Sequence, residues 1–275
     1  MEKPKHIRPF LRWAGGKSWL VKLIGEQIAQ LDFNSYHEPF LGGGALALSL
    51  PETKRKYLSD KNERLIEAYC AIQENVEEVI KQLKKLQNNK ETYYFIRNKK
   101  FRSSLKKAVQ FLYLNKTSFN GIYRVNQNGE YNVPFGYRKV KICDPAHLRI
   151  VSNHLRNCAL FSGDFEKSLR YIRKNDLVFI DPPYNLSDKS NPFFQYNEQG
   201  FDNADIERLI KYINAIKMKG AKYIMTNLYN KKVIETFGEI DIIHKVQRAD
   251  AIGGKNAYRG QIWEAVYTNI KEISL

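Results

Sequence analysis

Between residues 18 and 31 apolar side chains fall at Leu20, Leu23, Ile24 and Ile28, a spacing that predicts an amphipathic helix with these four on one face. A short strand is expected over 35–40, running into Leu41-Gly42-Gly43-Gly44, with a helix opening at Ala45 and a second strand over 56–60. From Glu63 to about Val109 the period is helical, with Leu65, Ile66, Tyr69, Ile72, Val76, Ile80 and Leu83 three and four apart. Alternation of strands and helices resumes after about Arg149. Strands are expected over 159–161 and 176–180, a helix over 205–218, a strand over 222–226, and a closing strand pair over about 240–246 and 261–268. These elements predict an α/β fold, an open sheet with a mostly helical insertion between its second and third strands. In such a sheet the ligand lies at the carboxyl ends of the strands.

Composition narrows the class. A chain of 275 residues, 43% hydrophobic, can bury a full core. No apolar run approaches the roughly 20 residues that span a bilayer, and the first residues lack a signal-peptide core, so a cytoplasmic protein with no membrane partner is expected. Cys70, Cys143 and Cys158 are too few and too scattered for a disulfide framework or a zinc site, and no metal is expected. Charge says more. The formal net charge of +16 calls for a polyanionic partner. Between Tyr93 and Lys141 eleven basic residues face one acid, Glu130, so most of the excess sits in one segment.

Three motifs fall at strand ends. Phe40-Leu41-Gly42-Gly43-Gly44 follows a strand and opens a helix, where glycines let a ligand approach the backbone. Asp60 ends the next strand, suited to accept hydrogen bonds from ribose hydroxyls, or else a plain strand-end acid. The pair marks a nucleoside-type cofactor without saying which. Gly16-Lys17-Ser18 imitates the end of a triphosphate loop, but the glycine required five residues earlier is Leu11, which excludes that chemistry. Asp181-Pro182-Pro183-Tyr184 follows the apolar run Leu177-Val178-Phe179-Ile180. Its prolines lack backbone donors and stiffen the turn, so carbonyls are left without a local partner. An amine with two hydrogens suits such a site, one hydrogen to Asp181 and one to the Pro182 carbonyl. Tyr184 can stack on a base flipped out of a duplex.

The basic segment carries its own signal. Asn128-Gly129 predicts a two-residue hairpin turn joining 123–127 to 130–133, with Arg124 and Asn126 on one face. A two-stranded ribbon fits the major groove, where arginine pairs with guanine and asparagine with adenine. Phe119 can wedge between bases. Phe111 is expected in the helix core. For Lys99, Lys100, Lys106 and Lys107, phosphate contact and plain solvation fit equally well.

Four segments in order carry a family resemblance: Phe10-Leu11-Arg12-Trp13-Ala14-Gly15-Gly16-Lys17, Glu38-Pro39-Phe40-Leu41-Gly42-Gly43-Gly44, the stretch from Phe111 to Gly136 with Phe119-Asn120-Gly121-Ile122-Tyr123-Arg124-Val125-Asn126 and Asn132-Val133-Pro134-Phe135-Gly136, and Asp181-Pro182-Pro183-Tyr184. Together they resemble the Dam-type DNA adenine methyltransferases, over about residues 9–269. The resemblance implies a Rossmann-like methyltransferase core over 1–62 and 150–275 and a DNA target-recognition domain, mostly helical and carrying the hairpin, over 63–149. It implies S-adenosylmethionine held by Trp13, Lys17, Phe40, Gly42, Gly44, Asp60, Asp164, Phe165 and Asp181. It implies DNA contacts by Arg12, Phe119, Asn120, Ile122, Arg124, Asn126, Pro134, Arg138 and Lys139, and a loop with Phe193, Tyr196, Gly200 and Phe201 over the target base. Ala249-Asp250-Ala251-Ile252-Gly253-Gly254 departs from the family, and no role is carried over there.

The expected activity is methyl transfer to the N6 amine of adenine in duplex DNA, in a GATC site, with base flipping and with Asp181, Pro182 and Tyr184 catalytic. A cysteine nucleophile, which methylation of a ring carbon needs, has no candidate at a strand end. A monomer suffices for a palindrome, and a cognate restriction endonuclease is a possible companion. The alternatives are methylation of an amine in RNA or of a protein glutamine, and a DNA-binding module with a vestigial cofactor site.

Overall fold

The computed structural model describes residues 7–183, 201–229, 231–237, 241–249 and 261–275. In chain order its helices and strands are α1 (Ser18–Gln30), β1 (Tyr36–Glu38), α2 (Ala45–Ser49), β2 (Lys56–Asp60), α3 (Glu63–Leu83), α4 (Lys90–Asn98), α5 (Ser104–Thr117), α6 (Pro145–Leu155), β3 (Cys158–Ser162), β4 (Leu177–Ile180), α7 (Asn203–Met218), β5 (Lys222–Leu228), α8 (Lys231–Phe237), β6 (Ile242–Ala249) and β7 (Gln261–Thr268). The strands form a seven-stranded sheet in the order β3-β2-β1-β4-β5-β7-β6. The α/β expectation therefore holds, and α3 to α6 occupy the chain between β2 and β3. No helix among the described residues is long and apolar enough to cross a membrane.

Two compact units divide the chain, one made of residues up to Gly25 and Leu41–Asp164, the other of Glu26–Phe40 and Phe165–Leu275. In the first, β2 and β3 run parallel, with Leu58 opposite Leu160 and Asp60 opposite Ser162. Helix α3 packs against α5 and α6 through a stripe that begins Leu65, Ile66, Tyr69 and Ile72. The Asn62 side chain caps α3 by accepting from the Leu65 amide, and Asp144 caps α6 just before Pro145.

The second unit carries the switch from parallel to antiparallel pairing. β4 lies parallel to β1 and to β5, whereas β7 runs antiparallel to β5 and to β6. All four residues of β4 are buried, as expected of a central strand covered on both faces. Val178 and Ile180 join Leu209, Tyr212, Ile213 and Ile216 of α7 in one core. An Asp202–Asp205 capping box fixes the start of α7.

The helical expectation over 63–109 is met in three pieces. The segment is three helices, because Asn89 caps α4 through the Thr92 amide and Ser103 starts α5. A non-helical Asn75 (φ −137°) kinks α3, so Val76 is only half-buried and Val79 continues the buried stripe. In α1 Leu20, Ile24 and Ile28 are buried, but Leu23 is 47% exposed and Val21 takes its place. At 100° per residue Val21 falls about 20° past Ile28, at the edge of the arc that Leu20, Ile24 and Ile28 define, while Leu23 falls about 60° outside it on the other side.

Candidate active site and nucleic-acid interface

In the first unit the site is built around the glycine turn. Gly42 has φ +48°, and a Cβ there would stand 2.7 Å from Trp13 Cδ1. Only glycine allows both that backbone and the close approach of the indole. The Gly42 amide donates to Asp60 Oδ2 at 2.9 Å, and the Asn62 amide donates to Asp60 Oδ1 at 2.9 Å. Burial pushes the Asp60 carboxyl above its ordinary value, and the two amides pull it partly back. Asp60 is thus a structural acceptor for the turn as well as a strand-end acid. Each oxygen keeps a second lone pair free for a ligand hydroxyl. The Gly44 amide donates to the Leu41 carbonyl at 2.8 Å, closing the turn before α2, and the Tyr69 hydroxyl donates to the Gly42 carbonyl at 3.1 Å. Lys17 is buried and donates from Nζ to the Gly15 carbonyl at 2.9 Å. Asp164 is half-buried and follows β3, one residue after Gly163, whose amide donates to the Asp60 carbonyl at 3.0 Å.

The same unit holds the candidate DNA-reading elements. Ser118 precedes a 3₁₀ turn, Phe119–Gly121, in which Asn120 has φ +55°. Phe119 (51%), Ile122 and Val125 are exposed apolar residues, and Pro134 and Lys139 are exposed beyond them. Asn115, buried in α5, accepts from the Arg12 amide at 2.9 Å and donates to the Arg12 carbonyl at 2.7 Å and the Gly121 carbonyl at 3.2 Å. One amide side chain thus ties the Arg12 backbone to the turn. The Arg138 guanidinium donates to the Ser118 carbonyl at 3.3 Å, and burial, then the charge of Arg12, lowers its pKa.

The hairpin differs from the expected one. Its loop is three residues, Gln127 to Gly129, closed by the Asn126 amide donating to the Glu130 carbonyl at 2.8 Å, with Gly129 at φ +74°. The Asn126 side-chain oxygen accepts from the amides of Asn128 and Glu130 at 3.1 and 2.9 Å. That side-chain turn outcompetes the two-residue turn. Only Val125 and Tyr131 form a ladder bridge there among the described residues. Arg124 and Asn126 keep one face, Arg124 Nε donating to Asn132 Oδ1 at 2.7 Å and Asn126 Nδ2 to Glu130 Oε2 at 3.4 Å. Tyr123 packs with Trp13, Phe111 and Tyr131, its ring centroid 5.6, 5.3 and 5.7 Å from theirs. Phe111 is buried, as its helical spacing predicts.

In the second unit Asp181 follows β4 directly. Parallel pairing sets Ile180 opposite Met225, so Asp181 is level with Thr226 on β5, whose hydroxyl donates to Asp181 Oδ1 at 2.8 Å. Pro182 is buried and Pro183 exposed. On β1 the Tyr36 hydroxyl donates to Glu38 Oε2 at 2.7 Å. Burial pushes the Tyr36 hydroxyl well above its ordinary value, with the carboxylates of Glu38 and Asp181 adding to the rise. Phe165 lies in the core rather than at an open surface, 5.3 Å from Phe40, 6.2 Å from Phe201 and 5.2 Å from Tyr212. Arg208 sits over its ring at 4.9 Å. Tyr184, Phe193, Tyr196, Gly200 and the 250–260 part of the loop after Arg248 lie outside the described residues.

Sequence reasoning missed Thr226, the Tyr36–Glu38 pair, Asn115 as a clamp and Tyr123 as the partner of Trp13. A polar residue on the buried face of α5 is a signal for Asn115. Thr226 offered none, since threonine is ordinary in a strand.

The chain matches the family model of the D12 class N6 adenine-specific DNA methyltransferases over residues 13–251. It is 36% identical, over 85% of this chain and 88% of the relative, to the Type II methyltransferase M.MjaIII of Methanocaldococcus jannaschii. It is 33% identical, over 96% of each, to the Type II methyltransferase M1.LlaDCHI of Lactococcus lactis subsp. cremoris. A DNA adenine methylase of Haemophilus influenzae is 30% identical over 84% of this chain and 82% of its own length. The Asp-Pro-Pro turn after β4 and the glycine turn tied to Asp60 therefore sit in a chain that belongs to the D12 class of N6 adenine-specific DNA methyltransferases.

Proposed function

We propose that the chain transfers a methyl group from S-adenosylmethionine to the N6 amine of an adenine flipped out of duplex DNA, in a GATC site. One observation carries the chemistry: Asp181 leaves a buried strand with one carboxylate oxygen held by Thr226 and two prolines behind it. The other oxygen and the Pro182 carbonyl accept the two hydrogens of the amine. Two acceptors draw the planar amine toward tetrahedral geometry and free its lone pair, a contribution of positioning and electrostatics. Tyr184 stacks on the base. S-adenosylmethionine, when bound, supplies a methyl group on a positively charged sulfur. The chain's residues suit it: Asp60, braced by two amides, accepts from ribose hydroxyls, and the glycine turn leaves the backbone open to approach. Lys17, Trp13, Phe40, Gly44, Asp164 and Phe165 complete the set, with Phe165 stacked on Phe40.

Residues 1–62 and 150–275 serve as the catalytic domain and 63–149 as the recognition domain. Within the latter, Arg124 reads a guanine and Asn126 an adenine, Phe119 and Ile122 enter between bases beside Asn120, and Arg12, Pro134, Arg138 and Lys139 flank the duplex. A monomer acts on one strand of the palindrome at a time, in the cytoplasm. Two relatives bear type II names, which supports a companion endonuclease that cuts the same site. Tritium transfer to unmethylated duplex DNA, to RNA and to protein tests the assignment. Label in DNA alone is expected, and label in RNA or protein instead would overturn it.

A further inference from the structure

We propose that Thr226 is a positioning residue for methyl transfer, fixing the plane of the Asp181 carboxylate so that one oxygen always faces the target amine. The inference rests on the role proposed for Asp181 and concerns a residue outside the Asp-Pro-Pro turn. Thr226 is fully buried, and its backbone is held in register on both sides, Met225 opposite Ile180 of β4 and Thr226 opposite Val266 of β7. A β-branched side chain in a strand has few χ1 options, so its hydroxyl is aimed by the backbone. The last torsion of an aspartate is broad, and a free carboxylate samples many planes. The Thr226 hydroxyl, 2.8 Å from Oδ1, restrains it. Nearby on β1 a second carboxylate, Glu38, accepts from the Tyr36 hydroxyl at 2.7 Å. Restraint of this kind matters most when the amine must meet both acceptors at once, which happens in the transition state rather than on binding. The expected signature is a slower chemical step with unchanged affinities.

The experiment compares Thr226→Val, Thr226→Ser and Asp181→Ala with the full-length protein. Single-turnover transfer from tritiated S-adenosylmethionine to unmethylated plasmid DNA is measured beside the affinities for both. Thr226→Val, nearly isosteric, is expected to slow transfer about tenfold while both affinities stay within about twofold. Thr226→Ser, which keeps the hydroxyl, is expected to retain most of the rate. Should the valine variant fail to fold, Thr226→Ala replaces it with the same expected loss. A wild-type rate for Thr226→Val beside an inactive Asp181→Ala overturns the role of Thr226 alone, as does equal slowing by the valine and serine variants. A wild-type rate for Asp181→Ala overturns the underlying assignment itself.

Discussion

The Trp13 indole stacks on the Tyr123 ring, centroids 5.6 Å apart and planes inclined by 26°. Trp13 also lies against Gly42, whose amide is bonded to Asp60. The turn proposed for the cofactor and the hairpin proposed for DNA thus share one aromatic side chain. Gly42→Ala tests how tightly. Its Cβ would occupy space taken by the indole at a left-handed φ, so a loss of about 1–3 kcal/mol in stability is expected, with a shift in Trp13 fluorescence. An unchanged melting temperature and spectrum would mean that the turn adapts freely.

Asp60 combines two roles that separate under titration. Burial raises its carboxyl, so the folded chain takes up a proton at higher pH than the unfolded chain does. Stability contributed by this group therefore falls as pH rises from the ordinary 3.8 through the raised value, and levels off above it. Asp60→Asn is expected to remove that slope in denaturant titrations at graded pH. Asp60→Ala is expected to weaken S-adenosylmethionine by about 1.5–3 kcal/mol in calorimetry and to leave DNA affinity unchanged without cofactor. Unaltered cofactor affinity would leave Asp60 a brace for the Gly42 turn and nothing more.

Much of this was legible in the chain. Leu177-Val178-Phe179-Ile180 could only be a buried strand, and Asp181 had to emerge at its end. The breaks near Asn89 and Ser103 were hidden, because polar caps inside a helical period look like its solvent face. The hairpin loop was misjudged by one residue, since Asn126 uses its own side chain to make the turn. Phe165 beside Asp164 packs between Phe40 and Tyr212, which come from 125 residues before and 47 after, a packing no local pattern records. The same holds for Thr226 and Asp181, brought level only by strand register.

Arg124 and Lys139 make opposite claims about specificity. Arg124, oriented by Asn132 on the hairpin face, is expected to cost about 1–3 kcal/mol on the preferred site when changed to alanine, and much less on a site altered at the base it reads. Exposed Lys139 changed to alanine is expected to weaken all sites alike and to lower the salt slope by about one unit. One competition assay covers both. Equal loss on every sequence for Arg124→Ala would make the hairpin a phosphate clamp.

The Asp181→Ala variant addresses the chemistry itself, and loss of one such preorganised acceptor typically slows a reaction roughly 100-fold or more. The most direct measurement is single-molecule sequencing of DNA from otherwise unmethylated cells expressing the chain or its Asp181→Ala variant. The account predicts N6-methyladenine at GATC with the wild-type chain and its absence with a folded variant. No methyladenine from the wild-type chain, or equal methylation by both, would contradict it.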